Sequence, residues 1–233
     1  MNLEKAIKFP FKGENWIKNL LITAGLMLTG IGAFIVSGYG LEIIRDMVNK
    51  KSDDVELPEW TNIGENVMDG LKMMVVMLVW ALPVILVALI FVVFIAIVQN
   101  ITNYDNYDMM NILTVLANIL YTIAVLLYSL ALYGFLPTIM GEVATKQTIK
   151  AGLNFGQIFK MNKGHFWKNF LVALVASVIA GIIAPFGVIA CFIGVFATMA
   201  IGMVFTFFLY GQRYLEIIGT SPAASAPKAD IAA

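Results

Sequence analysis

The chain has 233 residues, 60% of them hydrophobic and 13% charged, with a mean hydropathy of +0.86. A soluble domain is about 45–50% apolar and about 25% charged, so one water-facing core cannot absorb this excess, and lipid is the remaining solvent. Net charge is zero, which leaves no electrostatic footprint for nucleic acid, and the single cysteine, Cys191, excludes an internal disulfide and a thiolate metal cluster.

Residues 1–18 carry Lys5, Lys8, Lys12 and Lys18. No small-residue cleavage site follows a short apolar core, so the segment is expected to stay in the mature protein. The Leu3 to Phe11 region reads as an interfacial helix. Four stretches then lack any charged residue: 19–41, 73–104, 109–141 and 169–212. A bilayer-spanning helix needs about 20 apolar residues. Met73 to Val98 reads as one span kinked at Pro83, and Met109 to Leu136 as another. Phe170 to Tyr210 is too long for one span, and Ala184-Pro185-Phe186-Gly187 supplies a turn, predicting a helical hairpin over about 170–184 and 187–210. Residues 61–74 and 148–163 show helical apolar spacing beside charge and read as helices lying in the interface. Trp16, Trp60 and Trp167 fall near span ends, where an amphipathic ring is favoured. Residues 219–233 read as a disordered Ala/Pro/Ser tail after a single integral-membrane domain over 1–218.

All fifteen basic residues fall in four segments, and the 99–108 loop and the Pro185 turn have none. Both later hairpins therefore start and finish in the cytoplasm, as do the N- and C-termini. The first stretch, 19–41, has basic residues on both sides, so it is either one straight span or a re-entrant hairpin turning at Thr29-Gly30-Ile31-Gly32. An internal echo bears on this. Trp16-Ile17-Lys18-Asn19 resembles Trp167-Lys168-Asn169, and the Gly38-Tyr39 to Ile43-Ile44 segment resembles Tyr210-Gly211 to Ile217-Ile218. The expected fold is an all-α, polytopic transmembrane helix bundle with four full spans, this ambiguous first segment and interfacial amphipathic helices.

The opening Phe9-Pro10-Phe11, Trp16-Ile17-Lys18-Asn19, Gly38-Tyr39, Arg45, Leu57-Pro58-Glu59-Trp60, Gly70-Leu71-Lys72 and Leu82-Pro83 carry a family likeness. On these residues the chain resembles an uncharacterised integral-membrane family of archaea and bacteria, catalogued as a domain of unknown function. Many members have a proline where this chain has Thr29-Gly30-Ile31-Gly32. The resemblance implies a multi-span, prokaryotic membrane protein and carries over no catalytic residues.

The residues themselves show no convergent chemistry of the kind an enzyme needs. His165 is the one histidine and stands in a Lys-Gly-His-Phe-Trp turn, read as solvated. No His, Cys, Asp or Glu set has metal-ligand spacing, and the acidic run Asp53-Asp54-Val55-Glu56 with Glu59 reads as a solvated loop. Asn100-Ile101-Thr102 matches the glycosylation pattern in the 99–108 loop, which is too common a match to weigh. No ionisable group falls at mid-span, which argues against coupled pumping. Two stripes remain. Asn111, Thr114, Asn118, Thr122 and Ser129 share one helix face, which must meet protein or water in a membrane. Ala173, Ser177 and Gly181 on one helix of the last hairpin, and Gly194, Thr198, Gly202 and Thr206 on the other, are spaced for close packing. The expectation is a non-catalytic protein of the cell membrane with no cofactor or metal, a scaffold or accessory, lipid-associated factor. Its partners would be membrane lipid and other membrane proteins or itself, not nucleic acid. The alternative is a small oligomeric permease or channel lined by the Asn111–Ser129 face.

Overall fold

In the computed structural model, which describes residues 2–101, 107–189 and 191–219, the first apolar stretch is two helices rather than one. After α1 (Leu3–Lys8) and a 3-10 turn over Phe9–Phe11, helix α2 runs Trp16–Leu28 and α3 runs Gly32–Lys50. The break is chemical. The Thr29 hydroxyl donates to the Leu26 carbonyl at 2.7 Å and accepts from the Gly32 amide at 3.0 Å, while Gly30 takes φ +69°, which favours glycine. At 13 residues α2 is about 20 Å long, short of the roughly 30 Å hydrocarbon core. Asn19 near its start and Tyr39 on α3 both donate to the Pro58 carbonyl, so the chain returns to the end from which it set out. The segment is therefore a helical hairpin rather than one straight helix.

Helix α4 runs Ile63–Ile101, α5 Tyr107–Tyr133, α6 Leu136–Lys146, α7 Ile149–Gly152, α8 Phe155–Asn162, α9 Phe166–Ile183, α10 Phe186–Ile189 and α11 Cys191–Gly219. No strand occurs among the described residues. Four helical runs, Ile63–Asn100, Asn111–Tyr133, Phe166–Val188 and Gly194–Gly219, are long and apolar enough to cross a membrane. The tail beyond Gly219 and the middle of the 99–108 loop, including Thr102 of the glycosylation pattern, lie outside the described residues.

The chain divides into two compact units, 1–76 with 133–233, and 77–132. In the second, Phe91 stacks on Tyr121 with ring centroids 4.5 Å apart, and the Tyr128 hydroxyl donates to the Trp80 carbonyl, three residues before Pro83. The first unit buries α3, α6 and the C-terminal half of α11 against one another, with Ile43, Ile139 and Leu209 wholly excluded from solvent. The N-terminal segment is packed into it rather than lying free: Phe9 is buried and stacks on Phe208 at 4.2 Å.

Two sequence expectations change here. Residues 61–74 are not a separate interfacial helix but the first turns of α4, because Gly38 and Gly70 let α3 and α4 meet backbone to backbone. Residues 148–163 are two short helices, broken where the Asn154 side chain accepts from the Gln157 amide and caps α8.

Candidate functional site

Polar side chains gather at one level of the first unit, where the hairpin helices begin and end. The deepest group surrounds Arg213 of α11, which is 3% exposed. Its Nε donates to Asn169 Oδ1, its Nη2 donates to His165 Nδ1 at 2.8 Å, and its Nη1 pairs with Glu216. Asn169 Nδ2 in turn donates to Thr138 Oγ1 at 3.3 Å and to Asn162 Oδ1. Since guanidinium only donates, His165 Nδ1 must be the acceptor and the ring neutral. Burial, then the neighbouring Arg213 and Lys168, push its pKa down, consistent with that state.

A second group centres on Glu142 of α6. Its carboxylate accepts from Tyr214 at 2.8 Å, Lys146 at 2.6 Å and Gln157 at 3.1 Å, so one buried acid joins α6, α8 and α11. A third lies between α3 and α4: Asp69 pairs with Arg45 at 2.9 Å and Lys72 at 2.8 Å. One turn away, Glu42 and Asn66 face each other without closing a well-formed hydrogen bond. Glu42 Oε2 and both Asn66 polar atoms are buried with no partner among the described residues. Burial raises the Glu42 pKa, the approach of Asn66 opposes this, and the charge of Asp46 adds to the rise.

A raised carboxyl pKa makes the folded state bind its proton more tightly than the unfolded chain does. The stabilisation is present below the ordinary glutamate range and is lost as pH climbs through the raised value. Glu42→Gln, which mimics the neutral acid, is expected to flatten this decline. Melting curves from about pH 4 to about pH 8 check it, and parallel native and variant profiles would refute it.

The sequence-marked stripes fall as follows. On α5, Asn118 donates to the Thr114 carbonyl at 2.8 Å and Ser129 to the Val125 carbonyl at 2.8 Å, while Asn111, Asn118 and Thr122 remain exposed in their unit. In the α9–α11 hairpin, Gly202 lies against Ala180, 3.2 Å from its added Cβ, and open space surrounds Gly181. Ala173 is buried beside Ala176, with Ser177 only partly covered. Gly194 and Thr198 sit against Gly187, and the Thr206 hydroxyl donates to the Gly202 carbonyl at 2.7 Å. Gly202→Leu is accordingly expected to cost about 1–3 kcal/mol by overpacking. Gly181→Leu should leave the melting temperature in detergent near the native value. Of the tryptophans, Trp167 is exposed, and Trp16 is half-buried, edge-on to Phe11 at 5.3 Å. Trp60 is stacked on Tyr39 at 4.2 Å, and its indole N–H donates to the Asn19 carbonyl at 3.1 Å.

Sequence reading missed all three charged groups. The echo was the available signal: Asn19 and Asn169 are both buried, and each ties the start of its hairpin to a returning segment. The cluster of Asn19, Tyr39, Pro58 and Trp60 also brings together residues from three of the motifs that carried the family likeness. Among the described residues, no group of three or more His, Cys, Asp or Glu is placed to hold a metal ion.

Fold and polar groups together define an all-α bundle with four helical runs long and apolar enough to cross a membrane. A family described as "Protein of unknown function (DUF4013)" matches residues 22–193, and the chain belongs to that family. No curated protein and no solved structure matches it.

Proposed function

We propose that this chain is a non-catalytic, multi-pass protein of the cell membrane that acts as a scaffold or accessory, lipid-associated factor, with both termini in the cytoplasm. The use of its buried ionisable groups supports this reading. Arg213, Glu142 and Asp69 each tie one helix to others, so the charges serve cohesion rather than facing a reactant. The orientation draws on the unit 77–132, which contains no Lys or Arg, whereas the other unit holds every basic residue. Co-purification of a stable partner in mild detergent tests the role; a monomer that carries solute into liposomes would overturn it. Thiol labelling of Ser52→Cys in a Cys191→Ala background tests sidedness.

One observation favours a second reading, a small oligomeric permease. Asn111, Asn118 and Thr122 stay uncovered on α5, and an amide facing lipid seeks a partner. Flux that Asn118→Leu abolishes would select it.

A further inference from the structure

We propose that α8 and the start of α9 form a docking surface for one anionic phospholipid, with lysines holding the headgroup and an apolar stripe holding the acyl chain. The inference rests on the membrane reading above and adds the ligand's chemistry.

The first observation is unbalanced charge. No Asp or Glu occurs between Glu142 and Glu216. Of the cations between them, Lys146 pairs with Glu142 and Arg213 with Glu216. Lys150, Lys160, Lys163 and Lys168 are exposed, and among the described residues none is in an ion pair. The cleft beside α1 differs. There Lys5, Lys8 and Lys12 are matched with Asp53, Glu4 and Asp54, so the cleft of about 470 Å³ beside them is already neutralised.

The second observation is a ridge of rings beside those lysines. Phe159 meets Phe135 at 4.8 Å, Phe135 meets Phe166 at 5.6 Å, Phe166 meets Trp167 at 5.6 Å, and Trp167 meets Phe170 at 6.0 Å. Trp167 is nonetheless 72% exposed and Phe159 54% exposed. A protein facing only water would cover such rings; at a membrane interface they are favoured.

The third is continuity with an apolar track. Trp167, Leu171, Leu174, Val178 and Ile182 are all exposed on α9 at spacings that place them on one face. A molecule that satisfies cations at the base and apolar surface along the helix is an anionic amphiphile. A water-soluble phosphate would leave the stripe and rings unused, and so would a nucleic acid backbone.

The test uses the full chain in a neutral detergent, examined by native mass spectrometry with added phosphatidylglycerol or phosphatidylcholine. Phosphatidylglycerol is expected to stay bound and phosphatidylcholine to be lost. Replacing Lys160, Lys163 and Lys168 together by Gln is expected to weaken phosphatidylglycerol retention about a hundredfold, since each lysine near an anionic surface contributes about a factor of five. The melting temperature should hold, because these side chains are exposed. Trp167→Ala is expected to weaken retention while keeping the preference for the anionic lipid. Equal retention of both lipids, or of phosphatidylglycerol by native and triple-Gln chains, would overturn the inference. So would comparable binding of glycerol phosphate or of a short RNA. Release of the chain from membranes by alkaline carbonate would instead overturn the membrane reading beneath it.

Discussion

Replacing Gly38 with alanine is expected to force α3 away from α4 and lower stability by about 3 kcal/mol or more, at the upper end of the overpacking range. A Cβ on Gly38 would lie 1.8 Å from the Asn66 carbonyl oxygen, and one on Gly70 would lie 1.8 Å from the Phe34 carbonyl oxygen. The contact is reciprocal: each glycine meets the carbonyl four residues before the other. Both sides are helix backbone, so no rotamer change can make room. The shift would also pull Arg45 from Asp69 and open the buried Glu42–Asn66 pair to water. Gly25→Ala on α2 is the control, because nothing lies within 4 Å of its added Cβ. There the substitution should be neutral or stabilising by about 0.5–1 kcal/mol, since alanine loses less backbone freedom in a helix. Melting temperatures of the three chains in one detergent decide it. A native-like Gly38→Ala would mean that the two backbones do not meet at this distance.

This junction also shows where sequence reading stopped. The apolar spacing of residues 61–74 is the same for a helix lying on a membrane and for one docking against protein. Only the pairing of Gly38 with Gly70, 32 positions later, separates the two, and nothing local announces it. Helix α6 was hidden for a related reason. It continues the uncharged run 109–141, and its separation from α5 occurs near Gly134, packed against Phe166 from a distant helix. By contrast, the long spans and the turn at Ala184–Gly187 were legible, because span length and turn chemistry are local properties. The first hairpin was legible in part. Basic residues on both flanks demanded a return, while Thr29 and Gly30 supplied the means, yet neither excluded a straight helix. The polar groups were least visible, since Thr138, Asn162, Asn169 and Arg213 are scattered over four helices and ordinary in composition.

The Arg213 group makes the sharper energetic test. Asn169→Leu is expected to cost about 3 kcal/mol, because it removes the innermost acceptor from a cation that is 3% exposed. Arg213 would keep His165 and Glu216, but His165 is a neutral acceptor and the Glu216 side chain is 43% exposed, so neither replaces a carbonyl oxygen at the buried face. Arg213→Met should cost less. It removes the charge that needs compensation, Asn169 retains Thr138 and Asn162, and Glu216 can turn to water. If uncompensated charge is the cause, Asn169→Leu does less further harm once Arg213 is gone. The double variant should then be more stable than the sum of the single losses by about 1–3 kcal/mol. Strictly additive losses would mean that Asn169 acts through packing around Thr138 and Asn162 alone, and that the buried guanidinium is satisfied without it.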